Sequence, residues 1–390
     1  MPTTNPPRGH IRTLDGLRGV AILMVLAIHF YPKWLIADTY PVVTMIAGRI
    51  VEPGRYGVEL FFVLSGFLIT GILIDTKPQR RFLVKFYARR VLRIFPLYYT
   101  VLAVIFFILP HIVDFDAGAK LISNKQGWLW TYMGNWPEVW SWDQSSLFNL
   151  NHFWSLCVEE HFYLVWPIFI ALLSKKNVFH TACLLIIISL LCRSLSVILP
   201  HNPPPIVLWP TLQSLDGLAI GSILAVALRE PTLSIWAPKG DQYRRGLLIF
   251  SVASVGYFLI PRRIHHPFFD VFGETVVVVC SGLLLLGVLR LKPNARAHAL
   301  MTSPVLMAFG KYSYGLYVIH GILRPFLERN LGFQSLPSGH GLAFIWVLLY
   351  YLLATGISFG LAVASYQLLE KRFLNLKRFF NYEPCSNQAK

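Results

Sequence analysis

Charge is what this 390-residue sequence has least of: 14% of its residues are Asp, Glu, Lys or Arg, against roughly 25% in an average soluble domain. With 55% hydrophobic residues and a mean hydropathy of +0.54, the chain cannot clothe a water-facing surface in the usual way. A soluble enzyme is therefore not the expectation. Acid is scarcer than base, 19 Asp+Glu against 35 Lys+Arg, which leaves a formal net charge of +16. In a soluble protein that excess would point to nucleic acid. Here the basic residues lie between long apolar runs rather than in one patch, so no nucleic-acid partner is expected. The five cysteines, Cys157, Cys183, Cys192, Cys280 and Cys385, show no paired spacing of a disulfide framework or a zinc site. They read as buried free thiols, and no metal is implied. There is no P-loop, no dinucleotide fingerprint and no repeat of 20 to 50 residues, so neither an ATPase motor nor a nucleotide site is encoded in a recognised form.

What is abundant is apolar length. Windows of roughly 17 to 25 mostly apolar residues, enough to cross a bilayer as a helix, centre on 14–31, 57–75, 91–110, 157–173, 179–199, 206–228, 246–260, 271–290, 304–326 and 341–367. The fold class expected is all-α, a polytopic membrane protein of about ten transmembrane helices. Sorting the intervening loops alternately puts roughly 23 basic residues on one side and about 8 on the other. That asymmetry places both termini in the cytoplasm. The first run is broken by Asp15 and Arg18 and lacks a small-residue cleavage site, so it is expected to remain as a membrane helix rather than to leave as a signal peptide.

Charged side chains in a bilayer cost at least about 2.5 to 3.5 kcal/mol on insertion scales, so each one needs a reason. Arg18 and His29 are eleven residues apart, about 20° past three full helical turns with a rise of about 16 Å. They share a face with Asp15, and the stripe reads as the wall of a polar channel. The competing reading has Arg18 snorkelling to headgroups beside Asp15 and His29 capping a helix end. In Gly57–Phe67, Ser65 and Gly66 suit close helix packing, and no G-x-S-x-G elbow surrounds Ser65. Arg90 and Arg93 lie one turn apart at the cytoplasmic mouth of the third run, where arginine forks suit phosphate and a positive-inside anchor is equally economical. The block Trp154-Ser155-Leu156-Cys157-Val158-Glu159-Glu160-His161 puts two carboxylates in the first turns of a helix. Those carboxylates suit the orientation of a histidine base, and Ser155 as an N-cap is the simpler alternative. Arg193 and Asp216 lie inside apolar runs, either as functional groups or as a structural pair. His320 closes Ser313-Tyr314-Gly315-Leu316-Tyr317 in the ninth run. The aromatic stretch with Trp128, Trp130, Tyr132, Trp136, Trp140 and Trp142 suits sugar stacking or an interfacial belt.

Together and in order, the Arg18/His29 pair, the Phe61–Phe67 run, Arg90-x-x-Arg93 with Pro96, the Trp154–Tyr163 block and Ser313–Tyr317 with His320 resemble the acyltransferase-3 family of integral membrane O-acyltransferases. Cys157 and His161 stand where the family often has serine and glutamine. The resemblance implies transfer of an acyl group, usually acetyl, from cytoplasmic acyl-CoA, a donor substrate rather than a resident cofactor, to a hydroxyl of a carbohydrate or glycosylated small-molecule acceptor. It implies His29 as general base, with Glu159 or Glu160 orienting it and Arg18 guiding the donor arm or stabilising oxyanion charge. Arg90 and Arg93 would hold CoA phosphates. Asp15, Trp154, Arg193 and His320 complete the expected substrate-binding set. Residues 1–370 are expected to form the membrane domain and 371–390 a short cytoplasmic tail, with no second catalytic domain, in the inner (plasma) membrane. A proton-coupled transporter or flippase of an envelope precursor is the rival class, although no paired broken spans support it. A non-catalytic assembly partner in envelope polysaccharide synthesis is a third.

Overall fold

The computed structural model describes residues 10–31, 48–136, 149–199, 209–236, 245, 267–330 and 340–382. Among them the secondary structure is helical throughout. In chain order the helices are α1 (Arg12–His29), α2 (Gly57–Thr76, entered through a 3-10 turn at Glu52–Tyr56), α3 (Phe82–Ala103), α4 (Ala117–Asn124) and α5 (Gln126–Trp130). They are followed by α6 (Phe153–Leu172), α7 (Lys175–Ile198), α8 (Pro210–Gln213), α9 (Leu215–Ala227) and α10 (Pro267–Leu289). The remainder are α11 (Arg296–Met301), α12 (Pro304–Lys311), α13 (Ser313–Asn330), α14 (His340–Ser365) and α15 (Lys371–Asn375).

Among the described residues, six helical stretches are long and apolar enough to cross a membrane: Gly48–Thr76, Phe82–His111, Phe153–Leu172, Lys175–Ile198, Val271–Leu289 and Ile345–Phe380. The other four of the ten expected runs fall outside this set for separate reasons. α1 has the length but carries Asp15 and Arg18, α9 is a 13-residue apolar helix, and the ninth run divides at Tyr312 into α12 and α13. The run at 246–260 lies outside the described residues, as do Trp140, Trp142 and Cys385. Large apolar side chains stand exposed along the outward faces of α6 and α7, among them Leu164, Ile168, Leu172, Ile187, Leu191 and Ile198. Such a belt suits hydrocarbon rather than water.

The interior is built on close crossings of small residues. α9 is buried at nearly every position and packs most extensively on α2. A Cβ on Gly66 would run into the Leu218 carbonyl, and one on Gly221 into the Val63 carbonyl. Backbones approach this closely only where side chains are absent, the usual basis of helix association in lipid. The same crossing carries a buried relay in which Trp166 Nε1 donates to Thr70 Oγ1, Thr70 to Ser222 Oγ and Ser222 to the Leu218 carbonyl, each at 2.8 Å. At its end Arg229 forks onto Asp75 with two 2.8 Å bonds. α1 crosses α12 in the same manner, Gly310 lying against the Asp15 carbonyl. α14 does not stop at Glu370. It continues through a π turn at Tyr366–Glu370 and α15 to Phe380, where Arg89 Nη1 donates to the carbonyls of Lys377 and Phe380 at 3.3 and 3.4 Å.

Gly66→Ala should therefore destabilise the detergent-solubilised protein by about 1–3 kcal/mol through overpacking, seen as a fall in its thermal melting temperature. Gly356→Ala, where an added Cβ meets nothing within 4 Å, should leave the melting temperature unchanged.

Candidate active site

Two cavities lie inside the helical body and share Val58 and Tyr317 as a common wall. The larger, about 950 Å³, is reached by Asp15 and Arg18 of α1, Ser65 of α2, Arg89, Arg90 and Arg93 of α3, and Glu159, Glu160 and Tyr163 of α6. Lys311, Tyr314, Tyr317 and Glu370 line it from the C-terminal helices. The smaller, about 300 Å³, is lined by Val25, Ile28 and His29 of α1, Arg55, Tyr56, Glu59, Asn151, His152, Trp154, Ser214 and Glu274. One helix thus carries Arg18 into the first chamber and His29 into the second. The shared stripe read from the sequence is present, but Val58 and Tyr317 divide its channel in two.

The large cavity is cationic in a particular way. No carboxylate lies within ion-pair distance of the Arg18, Arg90 or Arg93 guanidinium among the described residues. Arg90 instead lies over the rings of Tyr163 and Phe86, at 5.2 and 5.6 Å. Of the carboxylates that share this lining, Glu159 accepts from Ser65 Oγ at 2.7 Å and from Tyr163 Oη at 2.9 Å. Asp15 pairs with His10 at 2.6 Å. Unspent arginine forks beside a large cavity provide the chemistry for a phosphorylated ligand.

Around the small cavity the histidines dominate. His29 Nδ1 lies 2.7 Å from His320 Nε2, and the two rings are 17° from parallel. His320 is wholly enclosed, and its Nδ1 donates to the Leu316 carbonyl at 3.0 Å. His152 packs beside it, ring centroids 4.9 Å apart, with Nε2 donating to the Val318 carbonyl at 3.2 Å. The approach depends on Gly321, where any Cβ would collide with the His152 ring. Tyr317 Oη donates to the His152 carbonyl at 3.0 Å and touches Ser155 Oγ, which anchors the shared wall. Glu59 is 9% exposed and borders the same cavity, with Glu274 opposite.

Several expectations change in this light. Glu159 and Glu160 belong to the large cavity and do not reach His29; the ring in contact with His29 is that of His320. His320 itself lines neither cavity, so it is placed behind the site rather than against a substrate. Arg193 also lines neither. Its Nη atoms donate to Asp216 at 2.6 Å, Thr275 at 2.6 Å, Glu274 at 3.2 Å and the Gln213 carbonyl at 3.0 Å, while its buried Nε has no partner among the described residues; this is the geometry of the structural pair. Ser155 does not cap α6, whose N-cap is His152. Of the Ser65–Gly66 pair only Gly66 packs, while Ser65 donates to Glu159. His161 bonds Thr211 at 2.8 Å and lies against Trp209. Trp130 and Tyr132 stack on Tyr99 and Tyr98, and Trp136 meets Trp209 edge-on; none of the three lines either of these two cavities. Trp154 does border the small one. Sequence reasoning passed over His152, Glu59 and Glu274. Glu59 had a readable signal, an acid inside an apolar run, whereas His152 had none.

Among the described residues, this is a helical, multi-pass membrane protein with an internal arginine-lined chamber beside a histidine-lined one. The chain belongs to the acyltransferase-3 family, whose acyltransferase-domain model matches residues 11–363. It is 25% identical over 378 residues to O-acetyltransferase OatA of Staphylococcus aureus, covering 92% of this chain and 56% of that protein. It is 28% identical over 336 residues to the peptidoglycan O-acetyltransferase OatA of Listeria monocytogenes, covering 82% and 50%. The chain thus spans about half the length of the curated relatives it matches. No solved structure matches.

The Arg193–Asp216 pair is buried to 5% and 1% side-chain exposure. Arg193→Leu alone should cost about 3–5 kcal/mol, because it strands a buried charge. Arg193→Leu with Asp216→Leu should recover part of that loss, as read from the melting temperatures of the two single variants and the double variant.

Proposed function

We propose that the chain is a membrane O-acyltransferase that carries an acyl group, usually acetyl, from cytoplasmic acyl-CoA to a hydroxyl of a glycan or glycosylated acceptor, with His29 as general base. The observation that carries this reading is the placement of Arg18 and His29 of one helix in two adjoining cavities, one suited to a phosphorylated donor and one to a polyhydroxylated acceptor. The Listeria relative, by its name a peptidoglycan O-acetyltransferase, supports a glycan as the acceptor class.

In this scheme the CoA phosphates rest on Arg90 and Arg93, and the pantetheine arm extends past Arg18 toward the Val58–Tyr317 wall. The acceptor occupies the small cavity, where Glu59, Asn151 and Ser214 offer partners for neighbouring hydroxyls. His29 removes the hydroxyl proton as the oxygen attacks the thioester carbon. The C–S bond then breaks, and the proton passes from His29 to the leaving sulfur, giving an O-acyl ester and free CoA. A positioned imidazole base contributes about 10²–10⁴-fold. Arg18, which borders the donor chamber about 16 Å along α1 from His29, guides the donor arm toward the wall. The excess of basic residues on the loops next to Arg90 and Arg93 supports a cytoplasmic side of the inner membrane for this mouth and for both termini.

Membranes containing the chain, given acetyl-CoA labelled in the acetyl group, should label extractable envelope glycan, and His29→Ala present at equal level should lower the rate by about 10²–10⁴-fold. Equal labelling by the variant would remove His29 from the mechanism. Acceptor movement without any donor would favour a carrier.

A further inference from the structure

The contact between His29 and His320 has a direction that fixes which nitrogen of His29 is free. A backbone carbonyl only accepts, so the 3.0 Å contact of His320 Nδ1 with the Leu316 carbonyl requires the proton on Nδ1. In a neutral ring Nε2 then carries a lone pair. That lone pair faces His29 Nδ1 at 2.7 Å, a separation that two lone pairs cannot share, so His29 Nδ1 carries a proton and donates. His29 Nε2 is left bare, with no protein partner among the described residues, on a side chain that borders the small cavity. Every alternative arrangement of neutral rings leaves two lone pairs, or a lone pair and a carbonyl oxygen, pressed together.

We propose that His320 is the positioning residue of this enzyme: by accepting from His29 Nδ1, it holds His29 in the one tautomer whose Nε2 can take a proton from a hydroxyl in the small cavity. The inference deepens the acyltransferase reading above and rests on it. It gives a neutral imidazole the task that a carboxylate performs in an acid–histidine pair, and it removes that task from Glu159 and Glu160, which face the other chamber. His320 is held for it from three directions. Leu316, one turn earlier on α13, fixes its proton. Phe30 meets its ring edge-on, with centroids 6.3 Å apart, and His152 closes the remaining side, admitted only because residue 321 is glycine. A carboxylate in this enclosed place would add a buried charge, which is costly unless paired and hydrogen-bonded. An imidazole accepts the same bond without one.

The test compares two replacements of similar bulk in full-length protein in membranes. His320→Gln places an amide oxygen near the position of the lost Nε2 and can still accept, whereas His320→Phe fills the space and cannot. Phe should lower kcat by about 10²–10⁴-fold with KM for acetyl-CoA unchanged, because the donor chamber is not touched. Gln should stay within about tenfold of the parent. Equal rates for Phe and the parent protein, or equal losses for Gln and Phe, would overturn the proposal. A readout independent of turnover is the nitrogen NMR spectrum of ¹⁵N-histidine-labelled protein in lipid. His29 should show a protonated Nδ1 and a bare Nε2, and the reverse pattern would refute the proposal even if catalysis were never observed. If the parent protein transfers no acetyl group while His29 shows the expected tautomer, the functional reading fails and the positioning of His29 by His320 stands.

Discussion

A polar or charged group inside a membrane protein must find a partner or face a cavity, because lipid offers it nothing. The interior follows from that constraint. Arg193 meets it with Asp216, Thr275 and Glu274 and becomes scaffold. Arg229 meets it with Asp75. Arg18, Arg90 and Arg93 meet it by bordering a chamber of about 950 Å³, so their charge is available to a ligand. Among buried cations, the division between scaffold and site depends on whether the partner is protein or space.

The same constraint explains the division of labour along α1. Gly16 lets α11 and Gly19 lets α12 approach on one side, while the polar stripe of α1 is turned to the two cavities. Val58 and Tyr317 stand between those cavities, and Tyr317 is tied to His152 and Ser155. A donor in one chamber and an acceptor in the other would meet at this wall, with His29 just beyond it. The separation keeps a phosphorylated ligand on arginine and leaves a compact, polar, histidine-lined space for a hydroxyl.

Much of this was legible in the sequence, for physical reasons that can be named. Helical periodicity put Asp15, Arg18 and His29 on one stripe, and the cost of charge in lipid marked Arg193 and Asp216. Low charge argued against a soluble enzyme, and the length of the apolar runs pointed to an all-helical membrane protein. The count of spans was less legible because apolar length alone does not distinguish a helix that faces lipid from one such as α9, which is enclosed by protein at nearly every position. The partner of His29 was not legible at all. Glu159 and Glu160 looked suited to orient a histidine, yet periodicity relates residues only within one helix, and the 291-residue separation between His29 and His320 is closed by tertiary packing. The cavity wall is likewise a product of three helices meeting, with no local signature.

The central claim is that one helix serves two chambers, donor on the arginines and acceptor beside His29. The most direct measurement is an experimental structure of the protein in lipid with acetyl-CoA bound. The account predicts the CoA phosphates on Arg90 and Arg93 and the thioester lying past Arg18 toward Val58 and Tyr317. Phosphates bound on the opposite face of the protein, or a thioester that ends away from the wall between the cavities, would contradict it.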